Sequence, residues 1–77
     1  AIDNCIPTTA YSFGYYLCSS AAGAQTAPTG ADGHIMSGTW GSTTSYGFQL
    51  FVDTDPTGAY AVRQRNSAGT WQAWRNL

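Results

Sequence analysis

The sequence predicts an all-β, mostly antiparallel fold: a small single-core meander or sandwich knob with at most a short helical turn. Three observations carry this prediction. The chain has 77 residues with no Lys and no Glu, while Gly, Ala, Ser and Thr supply 37 of them. That composition is poor for exposed helices, which lean on Glu and Lys for solubility and for i,i+4 pairs. From Tyr46 to Asp53 apolar and mixed positions alternate at period two, as in a half-buried strand. Asp55-Pro56-Thr57-Gly58 follows, with Asp at the first position of a type I turn, Pro preset for the second and Gly at the fourth.

The other elements fall into place around that hairpin. Residues 1–14 hold Pro7, Gly14 and an Ile2/Ile6 pair four apart, an irregular lead-in with at most one helical turn. Tyr15 to Cys18 reads as a first strand. Ser19 to Gly33 has no large apolar residue and reads as a long surface turn region. His34 to Trp40 fits a second strand that Gly38 weakens or bulges, and Gly41 to Ser45 a polar loop.

With a three-residue loop and a Gly bulge, the hairpin places Asp55 opposite Ala59, Val52 opposite Val62 and Phe51 opposite Arg63. Phe48, Leu50, Val52, Tyr60 and Val62 then share one face, and Gln49, Phe51, Asp53, Ala61, Arg63 and Arg65 the other. A slip of one residue would mix the two sets. Asn66-Ser67-Ala68-Gly69 makes another turn, and Thr70 to Trp74 a last strand or short extended segment. No repeat or linker is legible, so residues 1–77 read as one domain.

At this length folding hides only about 60% of the surface of the unfolded chain. Twelve residues of Ile, Leu, Val, Met and Phe and eight of Tyr and Trp support a small core, or a larger one shared between copies. The seven charged residues and net charge of −1 provide no footprint for nucleic acid or an anionic membrane. No apolar run approaches a membrane span, and the N-terminus lacks the basic-then-apolar design of a signal peptide, so a soluble chain without membrane insertion is expected. It begins at Ala1, not Met, and is expected to be a piece of a longer polypeptide. Cys5 and Cys18 fit either a disulfide, worth about 3 kcal/mol in the chain-entropy view, or two small buried hydrophobes in a reducing cytosol. Their spacing matches no zinc pattern.

Arg63 and Arg65, with Phe51 opposite and Trp71 or Trp74 returning nearby, predict guanidinium groups stacked on aromatic rings. They would clamp the last segment onto the sheet, helped by Asp53, or else hold an anionic sugar or phosphate. Trp40 and Tyr46 flank the loop that contains Thr43 and Thr44, and Tyr11, Tyr15 and Tyr16 add further rings. Planar rings beside hydroxyls suit a sugar, whose C–H face packs on the ring and whose edge takes hydrogen bonds. The competing reading puts these rings in the core or a subunit interface. Asp53 to Gly58 resembles the first half of a calcium loop, but its twelfth position is Gln64, so neither metal nor cofactor is expected. His34, two residues after Asp32, reads as a polar strand-edge residue. Asp53 and Asp55 on a tight hairpin flank no cleft, and no Gly-x-Ser-x-Gly accompanies the single histidine. Enzymatic activity is not expected.

Taken together, Gly33-His-Ile-Met, Gln49-Leu-Phe-Val-Asp53, Ala61-Val-Arg-Gln-Arg65 and Gly69-Thr-Trp-Gln-Ala-Trp-Arg75 resemble the knob domain of phage and pyocin-type (tailocin) tail fibres. Asn4 and Gly14-Tyr-Tyr are similar to its N-terminal part, so the likeness spans nearly the whole chain. The resemblance implies a homotrimer at or near the distal end of a fibre, a virion component joined to the rest of the tail fibre. It implies attachment to the host surface, commonly to lipopolysaccharide or another bacterial surface glycan. The cysteines are not part of the pattern, and it supplies no fixed sugar contacts. The expected ligand-binding residues are therefore read from the chain itself: Trp40, Tyr46, Thr43, Thr44, Asp32 and His34. Phe51, Arg63, Arg65, Trp71 and Trp74 form the structural motif. The alternative is a trimerisation knob with recognition elsewhere in the fibre.

Overall fold

Five strands form one antiparallel sheet in chain order: β1 (Phe13–Cys18), β2 (Gly33–Trp40), β3 (Ser42–Asp53), β4 (Tyr60–Arg65) and β5 (Arg75–Asn76). The computed structural model describes residues 2–18, 32–58 and 60–77, so most of the expected turn region, residues 19–31, lies outside it. One 3-10 turn, Ile2–Asn4, precedes the sheet. The all-β antiparallel meander agrees with the composition and alternation. Among the described residues no helix is long and apolar enough to cross a membrane.

Three expectations need correction. β1 begins at Phe13, because the apolar alternation Phe13, Tyr15, Leu17 already runs through Gly14. The polar loop shrinks to Gly41, which takes φ +67°, and Trp40 pairs with Ser42 so that the Ser/Thr run opens β3. The C-terminal segment pairs only through the bridge Arg65↔Trp71 and the two residues of β5.

The β3–β4 register also differs: Leu50 faces Val62, Phe51 faces Ala61 and Gln49 faces Arg63. This is a slip of two residues from the expected pairing, so each residue keeps its face. Its cause is a wider loop. The Asp55–Gly58 turn forms, with Gly58 N donating to Asp55 O at 2.8 Å. The carboxylates then cap the loop: Asp53 Oδ1 accepts from Asp55 N and Asp55 Oδ1 from Thr57 N and Oγ1. Pairing with β4 therefore stops at Val52↔Tyr60. The carboxylates suggestive of a calcium loop serve as caps for its backbone.

The covered side of the sheet is the mixed face. Ile2, Cys18, Ile35 and Phe51 form the buried cluster, with Cys5, Tyr16 and Trp74 packed against it. Both cysteines are thiols, raised in pKa chiefly by burial. Beside this cluster runs a buried polar chain. Gln49, fully buried, donates from Nε2 to the carbonyls of Ile2 (2.6 Å) and Cys5 (3.0 Å) and accepts at Oε1 from Arg63 Nε (2.8 Å). Arg63 Nη2 reaches Asp3 Oδ1 at 2.7 Å. Its guanidinium carbon lies 4.3 Å from the ring centre of Trp71 and 4.7 Å from that of Trp74. The expected clamp is present, but its anion is Asp3, and Phe51 packs edge-on against Trp74 instead of facing Arg63.

Gly69 closes the last turn at φ +79°, where a Cβ would collide with the carbonyl of Thr44. Asn66 caps that turn by accepting at Oδ1 from the N–H groups of Ala68 and Thr70.

Arg63→Ala leaves Gln49 and Asp3 short of a donor and both indoles short of a cation, and should destabilise the fold by about 3 kcal/mol. Arg63→Lys should recover less than half, because an ammonium cannot stack and fork at once. Urea unfolding of the two variants measures both effects. Bonds from Thr57 hold the Asp55 carboxyl below its ordinary value. A lowered folded-state pKa means that the loop's cap is intact above the unfolded value and lost as pH falls through the folded one. The Thr57 amide shift in an NMR titration should therefore move only in acid, below the ordinary aspartate range.

Candidate functional site

The other face of the sheet carries Phe13, Tyr15 and Leu17 from β1, His34 and Met36 from β2, Phe48, Leu50 and Val52 from β3, and Tyr60 and Val62 from β4. No described segment covers it: Phe13, Leu17 and Trp40 are 66, 72 and 66% exposed. At one end the face deepens into a cleft of about 470 Å³ whose lining includes Tyr11, Phe13, Trp40, Tyr46, Phe48 and Gln64.

The cleft's shape follows from local backbone choices. Phe13, Gly38, Phe48 and Gln64 make one row across four strands. Gly38 has no side chain, so the Phe48 ring lies across it; a Cβ there would stand 2.6 Å from Phe48 Cε1. Phe13 and Phe48 form a floor with ring centres 6.5 Å apart and planes 34° apart. Next to this row the β2–β3 register shifts between Thr39 and Trp40, one residue beyond the expected Gly38 position. Trp40 rises from that bulge and meets Tyr11 edge to face at 5.2 Å.

Tyr11 adopts φ +53°, the one positive φ outside glycine among the described residues, a conformation that costs about 1–3 kcal/mol and collects at functional sites. Thr39 helps hold it there: its Oγ1 donates to Thr9 O at 2.7 Å and accepts from Ser12 N at 3.1 Å, while its own N–H donates to Ser12 O. Arg65 is part of the cleft's lining, but its guanidinium lies on the covered face. A Cβ on Gly47, its cross-strand partner, would stand 3.1 Å from Arg65 Nη2. That group donates to Thr43 O, stacks 5.2 Å from Trp71 and is pulled below its usual pKa by burial.

Trp40 and Tyr46 therefore come together as walls of one cleft, while the other expected ligand residues disperse. Thr44 is exposed on the β3 hairpin end and is engaged with Ser42 through backbone and hydroxyl. Thr43 faces the opposite side and lines a polar cleft with Asp3, Asn4 and Arg65. His34 sits at the far end of β2, about 20 Å from Trp40 at ~3.3 Å per residue, and Asp32 lies just before that strand, farther still. His34 lies on a central strand instead of an edge; its ring stacks on Tyr15, and Nδ1 bonds to the tyrosine hydroxyl. Phe13, Phe48 and Gln64 were not among the expected contacts. The run Phe13, Tyr15, Leu17 was the signal for Phe13, since it carries the period-two pattern back past Gly14.

Trp40 is the tryptophan open to solvent, whereas Trp71 and Trp74 are half-buried. Acrylamide should therefore quench the parent protein more strongly than Trp40→Phe, whose two remaining indoles are half-buried. Trp40→Ala should cost within about 0.5 kcal/mol of stability, as for other surface substitutions. Comparison of the chain with protein-family models, with curated proteins and with solved structures finds no match in any of the three.

Proposed function

We propose that the chain is a non-catalytic receptor-binding module of a phage or tailocin tail fibre, acting in the virion at the bacterial cell surface, where it recognises a surface glycan such as lipopolysaccharide. The observation that carries this reading is the aromatic cleft: rings from Tyr11, Phe13, Trp40, Tyr46 and Phe48 around one sugar-sized space, with a strained tyrosine held in place at its rim. Sugars pack their C–H faces on such rings, and Tyr and Trp provide contact area at low entropic cost. The tail-fibre assignment is supported by the motif resemblance and by the Arg63/Trp71/Trp74 clamp at the residues that carry it.

The rest of the open face supports self-association as a homotrimer. Leu17, Met36, Leu50, Val52 and Val62 form an aliphatic field beside the cleft, next to Tyr15 and Tyr60 at 59 and 49% exposed. Leu17 is exposed and the other four are partly exposed; contiguous apolar surface marks interaction sites, and copies of a chain with a small core can share it by closing symmetrically. This field also favours a second reading, in which the module only registers the trimeric fibre and recognition lies elsewhere.

Two variants separate the readings. Trp40→Ala should weaken binding to host cells or purified surface glycan at least tenfold while sedimentation still reports the associated species. Leu50→Asp should dissociate that species to monomer. Unchanged cell binding by a folded Trp40→Ala protein would remove the cleft from recognition and leave the fibre-registering role.

A further inference from the structure

We infer that the cleft takes an N-acetylated hexosamine unit, its acetamido carbonyl on the Gln64 side-chain amide and its methyl and C–H face on the Phe13/Phe48 floor. This rests on the glycan-binding reading above and specifies its ligand. Three features of the cleft point the same way.

Both arginines near the cleft are already engaged. Arg65 turns its guanidinium to the covered face, where Nη2 donates to Thr43 O, and Arg75 is committed at the rim to Gln64 Oε1, so an ionised sugar could be paired only by breaking one of those contacts. The floor is broad and apolar: Phe13 and Phe48 lie within 34° of coplanar, offering more ring surface than a single hexose C–H patch uses and leaving room for a methyl group alongside. The rim supplies an oriented amide. Gln64 continues the floor's cross-strand row, and its Oε1 accepts from Arg75 Nη2 at 3.4 Å. With Oε1 engaged there, the two N–H donors of Nε2 are left for an incoming acceptor. The hydroxyls of Ser12 and Thr39, by contrast, donate to the carbonyls of Ala10 and Thr9. An acetamido group matches this arrangement, with a carbonyl to accept from the amide and a methyl to cover the ring beside it. A plain hexose lacks both, a 6-deoxyhexose has the methyl alone, and a uronic acid would have to draw Arg75 off Gln64.

The test is saturation-transfer NMR with titration of the protein against four methyl glycosides: N-acetylglucosamine, glucose, a 6-deoxyhexose and glucuronic acid. N-acetylglucosamine should bind about tenfold tighter than glucose, the worth of one net hydrogen bond with its methyl contact, and its acetamido methyl should receive the strongest saturation. Gln64→Leu, at an exposed position, should keep the fold and erase the preference. Equal affinities, a 6-deoxyhexose or uronate preference, or an N-acetyl preference that survives Gln64→Leu would overturn this inference alone, provided that host-glycan binding still depends on Trp40. Absence of saturation for every sugar, with host binding indifferent to Trp40→Ala, would overturn the cleft reading together with it.

Discussion

Arg63 is buried to 5% exposure beneath the sheet, and much of the fold is arranged to satisfy it. A guanidinium withdrawn from water needs an acceptor for its donors and a polarisable surface for its faces. Gln49 across the strand pair provides one acceptor and Asp3 another; Trp71 and Trp74 provide the rings. These partners come from the beginning, middle and end of the chain. The Gln49 pairing favours the observed β3–β4 register, since the alternative two residues away would set Arg63 against Phe51 with no acceptor. Asp3, together with the Gln49 bonds to Ile2 and Cys5, anchors the N-terminal turn. The indoles bring the last segment back under the sheet.

That requirement also decides which face becomes the interior. By hydrophobicity alone, the side bearing Phe48, Leu50, Val52 and Val62 should have been covered first. Both chain ends instead pack on the side bearing Gln49, Phe51 and Arg63, because only there can the polar chain be completed. Nothing among the described residues covers the apolar face, where each buried aliphatic side chain would be worth about 1.5–3 kcal/mol. A polar interior and an apolar exterior are thus one fact seen from two sides.

What could be read from the sequence follows the range of each cause. Strand order, the Asp55–Gly58 turn, the Asn66–Gly69 turn and the division of the hairpin into two faces depend on neighbouring residues and period-two alternation, and all were legible. The stacking of Arg63 and Arg65 on the tryptophans was legible from composition and order. The register was not, because it depends on Asp53 and Asp55 folding back to cap a wider loop and on an acceptor placed across the strands. Asp3 was missed as the partner of Arg63 because it lies 60 residues away in the chain. Trp40 and Tyr46, chosen by residue type, come together in the candidate cleft. Thr43 lies on the opposite face because strand residues alternate, and Asp32 and His34 lie apart from the cleft because five strand residues separate His34 from Trp40.

The cleft and the aliphatic field share one continuous face, and this contiguity bears on affinity. A shallow cleft whose ring walls are half in water binds a single sugar unit weakly, since much of its contact area remains accessible to solvent. In the proposed trimer, association buries the aliphatic field and fixes three clefts at set spacings. A repeating surface polysaccharide could then engage them together, and effective concentration multiplies weak single contacts into firm attachment without any new one. The register shift between Thr39 and Trp40 falls at the cleft end of the face, so that closing the aliphatic half against neighbouring copies need not close the other.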